Sequence, residues 1–186
     1  LGEVLKKNTL LRSNAKKEDD IWVTGELGLA ALGLAKLQKK IQLPKSLSKK
    51  AIGALEKPML QSSIIEIMAK LSHSAIDISD GLIADLSHIL EASKVGANIF
   101  LKDIPVNPWL KKNKLIDIGL SGGDDYQLLF TAPKKNRNKI NLVSKMPSIK
   151  LTRIGSIKKG KSLNINDHKG MLYKLKKKGY DHFETK

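Results

Sequence analysis

The segment Ala75-Ile76-Asp77-Ile78-Ser79-Asp80-Gly81-Leu82 places three oxygen-bearing side chains where a short apolar run gives way to a helical pattern. Strand alternation puts Asp77 and Ser79 on one side, away from Ile76 and Ile78, and leaves Asp80 at a helix N-terminus. Closely spaced carboxylates repel one another unless a divalent cation lies between them, while a helix N-terminus attracts anions such as phosphate. Hard oxygen donors without His or Cys favour Mg²⁺, which bridges carboxylates and substrate phosphates. A capping role for Ser79 or Asp80 accounts for one of these side chains, but not for Asp77 as well.

A second segment, Leu120-Ser121-Gly122-Gly123-Asp124-Asp125-Tyr126-Gln127, joins paired glycines to paired acids. The glycines let backbone N–H groups approach a ligand, and the acidic pair offers ligands to a cation or a cationic substrate. On local composition alone, a surface turn before a strand is the simpler reading.

Short strands and amphipathic helices must position these segments. Residues 20–25 read as a strand entering a glycine turn, and residues 27–41 carry the Leu/Ala spacing of a buried helix face. The lysine- and serine-rich stretch 43–50 reads as a loop, with Pro44 breaking the helix before it. Residues 61–71 are again helical and 74–78 fit a buried strand. In 80–92, Leu82, Ile83, Leu86, Ile89 and Leu90 share one helix face. Strands are predicted over 97–104, 126–131 and 151–157. The pattern predicts an α+β fold, with helices packed on a mixed β-sheet.

The chain has 186 residues, 41% of them hydrophobic, enough for one sizeable core. It has no cysteine, which excludes disulfides and thiolate metal sites and suits a cytoplasmic protein. No apolar stretch is long enough to span a bilayer, and the first residues lack the regions of a signal peptide. A start at Leu1 suggests a chain that begins mid-protein. The net charge of +16 invites a polyanion partner, but Arg12, Arg137 and Arg153 are the only arginines and aromatics make up 4%. A surface built almost wholly from Lys, with little to stack on bases, argues for solvated lysines rather than a specific nucleic-acid reader. None of the four histidines, His73, His88, His168 and His182, lies at metal-ligand spacing from another.

The two segments, in their order, resemble the thiamine-monophosphate kinases of the aminoimidazole-ribonucleotide-synthetase-like superfamily. The resemblance also rests on Leu11-Arg12-Ser13-Asn14-Ala15-Lys16, Val23-Thr24-Gly25-Glu26-Leu27-Gly28, Ala92-Ser93-Lys94-Val95-Gly96-Ala97, Ile104-Pro105 and the terminal Gly179-Tyr180-Asp181-His182-Phe183. It implies the C-terminal domain of that superfamily over residues 20–186, with residues 1–19 connecting to an N-terminal ATP- and metal-binding domain that would precede Leu1.

The implied activity is ATP-dependent phosphorylation of thiamine monophosphate to thiamine diphosphate, the last step of thiamine diphosphate biosynthesis. Asp77 and Asp80 would be magnesium ligands, Arg12 and Ser79 ATP contacts, and Asp124 and Tyr180 contacts to thiamine monophosphate. A carboxylate and an aromatic ring are sensible partners for a thiazolium cation. The acceptor is a phosphate monoester already ionised near neutrality, so the task is neutralising and aligning two polyanions rather than supplying a strong base. The partners implied are ATP, thiamine monophosphate and the N-terminal domain in cis or trans, in a homodimer when complete, with no specific nucleic acid and no membrane.

Several residues depart from the family pattern. Asp124 replaces the usual Glu, Ser-Asn-Ala-Lys replaces Ser-Gly-Ala-Lys, Lys17-Glu18-Asp19 replaces Pro-Gly-Asp, and Leu29 replaces an acidic residue. The alternatives are a non-catalytic remnant that folds without turnover and a basic nucleic-acid-binding domain.

Overall fold

Every residue of Asp20–Thr24 is buried, as expected of a strand at the centre of a sheet covered on both faces. In the computed structural model, which describes residues 9–59, 62–146 and 149–175, this strand is β1. The others are β2 (Ser74–Ile78), β3 (Gly96–Phe100), β4 (Gln127–Ala132), β5 (Leu151–Lys158) and β6 (Leu163–Asn166). They form one sheet in the order β2-β4-β1-β5-β3-β6, antiparallel at every pairing except β3 with β6, which is parallel. Ile154 bulges where β5 passes β1, since Ile21 pairs with Gly155 and Trp22 with Arg153.

Alternation along the strands divides the core in two. Ile21, Val23, Ile76, Ile78, Leu129 and Ile99 face one layer of helices. That layer comprises α1 (Leu29–Leu37), α2 (Lys45–Glu56), α4 (Leu82–Ser93), α5 (Pro108–Lys112) and α6 (Ile116–Ser121). The other face carries Trp22 and Phe130, stacked with ring centroids 6.4 Å apart, beneath α3 (Ile65–Leu71) and α7 (Arg137–Val143). The α+β expectation therefore holds. Among the described residues no helix is long and apolar enough to cross a membrane.

Some boundaries differ from the sequence reading. The stretch 43–50 is largely helix: it opens α2, whose N-cap is Pro44, and Leu47, Ala51 and Ala54 form a seam against the core. Composition hides this, because the seam is thin and works only where α1 comes very close. Gly33 permits that approach, since a Cβ there would overlap the Ala51 carbonyl. The helix expected over 27–41 is shorter, Leu29–Leu37. The one expected over 61–71 is a 3-10 turn, Ser62–Ile64, followed by α3, with Gln61 outside the described residues. The strand expected over 97–104 stops at Phe100. β6, α5, α6 and α7 were not anticipated.

Residues ahead of β1 pack on the same body. The 3-10 turn Arg12–Asn14 lies at the C-terminal end of α4, where Ser93 Oγ donates to the Arg12 carbonyl (2.8 Å) and accepts from Ala15 N (3.1 Å). At the start of β1, buried Asp20 accepts two 2.7 Å bonds from Arg137, with Arg153 3.6 Å away.

Candidate functional site

Because β4 runs antiparallel to both β1 and β2, the start of β4 lies beside the ends of β1 and β2. Three connections therefore meet at one edge of the sheet: residues 25–28 after β1, 79–81 after β2, and 122–126 before β4. The two chemistry-bearing segments are held side by side. Asp124 N donates to the Ser79 carbonyl at 2.9 Å and Tyr126 N to the Ile78 carbonyl at 2.9 Å. Gly123 is what allows this closeness, because any Cβ there would overlap the Ser79 carbonyl oxygen. Asp124 and Tyr126 both adopt left-handed backbone angles, with φ of 65° and 47°, a region non-glycine residues occupy sparingly.

Asp77 is exposed one residue before the end of β2, on the face away from Ile76 and Ile78, as alternation requires. Ser79 and Asp80 follow, half-buried, in the turn that enters α4. Their N–H groups do not face outward to an anion. Both donate to the buried carboxylate of Asp85, from Ser79 N at 3.0 Å and Asp80 N at 3.1 Å. Burial pushes the Asp85 carboxyl above its ordinary range, opposed by these two bonds and reinforced by the charge of Asp80. This end of α4 thus presents carboxylates rather than free amides, which suits a cation better than a bare phosphate. Ligand atoms of Asp80, Asp85 and His88 lie within 4.8 Å of one another; Asp77 is not in that group.

Asp125 differs from its neighbour Asp124. It turns inward, and its carboxylate accepts from Gly28 N at 2.7 Å and Ala30 N at 3.4 Å, at the head of α1. Burial raises its pKa to about 7, against the pull of these two bonds and with help from the charges of Asp124 and Glu26. Of the acidic pair, Asp125 is the buried member and Asp124 stays half-buried. Thr24 Oγ1 ties the same edge together by donating to Gln127 Oε1 (2.7 Å) and accepting from Leu128 N (2.8 Å). Below the diglycine, Tyr173 donates to Asp117 in the first turn of α6 (2.6 Å).

The structure brings Asp77, Ser79, Asp80 and Asp124 to one edge. It does not bring Arg12 there: its backbone is fixed beside Ser93, at the opposite end of α4, roughly 16 Å along the helix axis. Tyr180 and His182 lie outside the described residues. Sequence reasoning missed Asp85 and the inward role of Asp125. Asp85 left a signal, a carboxylate on the same helix face as Leu82, Leu86 and Ile89, and a charge on an apolar stripe implies a buried partner.

Residues 16–168 match the family model described as AIR synthase related protein, C-terminal domain. The chain belongs to that family. Within the AIR synthase related family, it is 43% identical over 194 aligned positions to the thiamine-monophosphate kinase of Buchnera aphidicola subsp. Schizaphis graminum, covering 98% of this chain and 58% of the relative. The chain thus spans little more than half the length of that relative. A crystal structure of thiamine-monophosphate kinase from Stenotrophomonas maltophilia K279a superposes with a TM-score of 0.80 at 31% identity, over 91% of this chain and 56% of that one. A structure described as AaThiL complexed with AMPPCP and TMP gives a TM-score of 0.76 at 29% identity, over 94% of this chain and 54% of the other.

Proposed function

We propose that this chain supplies the C-terminal domain of a thiamine-monophosphate kinase, transferring the γ-phosphoryl group of ATP to thiamine monophosphate. The observation that carries the reading is the direct bond from Asp124 N to the Ser79 carbonyl, which puts a carboxylate suited to a thiazolium beside residues suited to a metal–nucleotide. The likeness to relatives of that name supports it, as does a neighbour complexed with AMPPCP and TMP.

The donor set at the β2 end fits Mg²⁺: Asp77 and Asp80 offer hard carboxylate oxygens in reach of solvent, which a strongly hydrated ion accepts while keeping several waters. Bound there, magnesium supplies charge neutralisation to the phosphates. Asp77 and Asp80 would hold it, and Asp85 fixes the Ser79-Asp80 backbone by accepting its two N–H groups. Ser79 contacts ATP through its hydroxyl. Asp124 receives the thiazolium end of the acceptor, orienting its phosphate oxygen in line with the γ-phosphorus. As that oxygen bonds to phosphorus, the bond to the β-phosphate oxygen breaks and ADP leaves. No side chain need remove a proton, because the acceptor's second ionisation lies near pH 6. Arg12 and Tyr180 belong to the same proposal, Arg12 toward ATP bound across the junction with an N-terminal domain and Tyr180 against the substrate ring. Residues 1–19 then serve as the connection between domains, in a cytoplasmic homodimer.

The test is formation of thiamine diphosphate from ATP, Mg²⁺ and thiamine monophosphate, by the chain alone and with an N-terminal kinase domain supplied. Product is expected only in the mixture, and Asp77→Asn is expected to abolish it while leaving the circular dichroism unchanged. Lack of product in the mixture, with no thiamine monophosphate bound, would overturn the proposal.

A further inference from the structure

Asp125 has no part in the chemistry just described, yet it is 7% exposed and its bonds reach 97 and 95 residues back along the chain. Those bonds end at Gly28 and Ala30, amides at the start of α1 that have no partner within the helix. Gly28, the N-cap of α1, makes no side-chain cap of its own. The residues on either side of Asp125 are the two left-handed ones, Asp124 and Tyr126. Their N–H groups are tied to Ser79 and Ile78, just beyond and at the end of β2, while the Asp125 carboxylate ties the same loop in the other direction, to α1. A loop in a sparsely populated conformation persists when its surroundings over-determine it, and here the second anchor is one carboxylate.

We propose that Asp125 is a positioning residue for the acceptor: by accepting the Gly28 and Ala30 N–H groups it holds the 122–126 loop so that Asp124 meets the cationic end of the substrate. This rests on the assignment of Asp124 to thiamine monophosphate. A capping role confined to stability would be filled more cheaply by a neutral acceptor, because burial raises the pKa of this carboxyl to about 7. A carboxylate at a helix head gains from the partial positive charge of the amides, and its two oxygens can accept both N–H groups. An Asn can accept one and sets its own donors against the other.

The experiment compares unsubstituted protein with Asp125→Asn in the two-domain assay. The KM for thiamine monophosphate is expected to rise about tenfold or more while the KM for ATP stays within about twofold. Purely structural damage would instead lower the active fraction, reducing kcat with both KM values unchanged, and that result would overturn the inference. Hydrogen exchange of the unsubstituted protein adds a measurement that needs no variant. Thiamine monophosphate is expected to slow exchange at the Gly28 and Ala30 amides about tenfold, and unchanged rates at saturating ligand would count against the role. No turnover and no ligand binding by the unsubstituted protein would sink the kinase reading itself, and the positioning role with it. Turnover with an unaltered KM in the variant would sink the positioning role alone.

Discussion

The Asp125 carboxyl also sets a slope of stability against pH that can be worked out from its surroundings. Its ordinary value of 3.8 is raised to about 7, chiefly by burial. Between these values the folded chain keeps a proton that the unfolded chain has released, so acid favours the folded state. The contribution is complete below the unfolded value and is lost as pH rises through about 7. Each pH unit in that window is worth about 1.4 kcal/mol, giving a total of about 4 kcal/mol. Asp125→Asn removes the titration and keeps the shape. Urea unfolding of both proteins at about pH 4.5 and about pH 8 isolates this group, because the other carboxylates and the general charge of the chain are common to both. Wild type minus variant should fall by about 3 kcal/mol or more across that range, leaving the variant at least as stable as wild type at the alkaline end. A difference that stays flat, or that grows with pH, would falsify the argument that burial raises the pKa of this carboxyl.

Three other substitutions test separate parts of the architecture. Arg137→Ala leaves buried Asp20 with Arg153 alone, 3.6 Å away, and should cost about 3 kcal/mol in urea unfolding. Gly123→Ala drives a methyl into the Ser79 carbonyl; the loops must separate, and kcat/KM in the two-domain assay should drop by on the order of tenfold or more with little change in far-ultraviolet circular dichroism. Lys94 caps α4 with a φ of 55°, so Lys94→Gly should stabilise the fold by about 1 kcal/mol, read from the denaturation midpoint.

Legibility in the sequence followed the range of the interactions concerned. α4 was plain because Leu82, Ile83, Leu86, Ile89 and Leu90 lie on one face and are all buried, and a single strong stripe needs no distant partner to be seen. β2 and the outward stance of Asp77 followed from alternation over five residues. α2 was not visible, since its burial depends on Gly33 in another helix, and its Lys and Ser residues describe only the solvated side. β6 is four residues long with Ile165 alone buried, and it exists because β3 offers it an edge. Within the candidate site, alternation and spacing singled out Asp77, Ser79 and Asp80 as candidates, and the structure holds all three at one edge. The opposed fates of Asp124 and Asp125 were not legible, because adjacent carboxylates look alike until α1 supplies two amides to one of them. Lys17-Glu18-Asp19 is the converse case: Glu18, standing where the family pattern has Gly, holds a φ of 72°, so the backbone keeps the turn although the residue has changed.

The edge where β1 and β2 end and β4 begins draws its parts from positions near 26, 79 and 124, and no two of them are close in sequence. Closing such distant stretches is slow relative to forming local helices. Binding competence should therefore emerge only at the last stage of refolding, after α4 has already formed. Peptides copied from any one stretch would be inert, and a conformational antibody against this rim would serve as a gauge of finished chains, blind to partly folded ones.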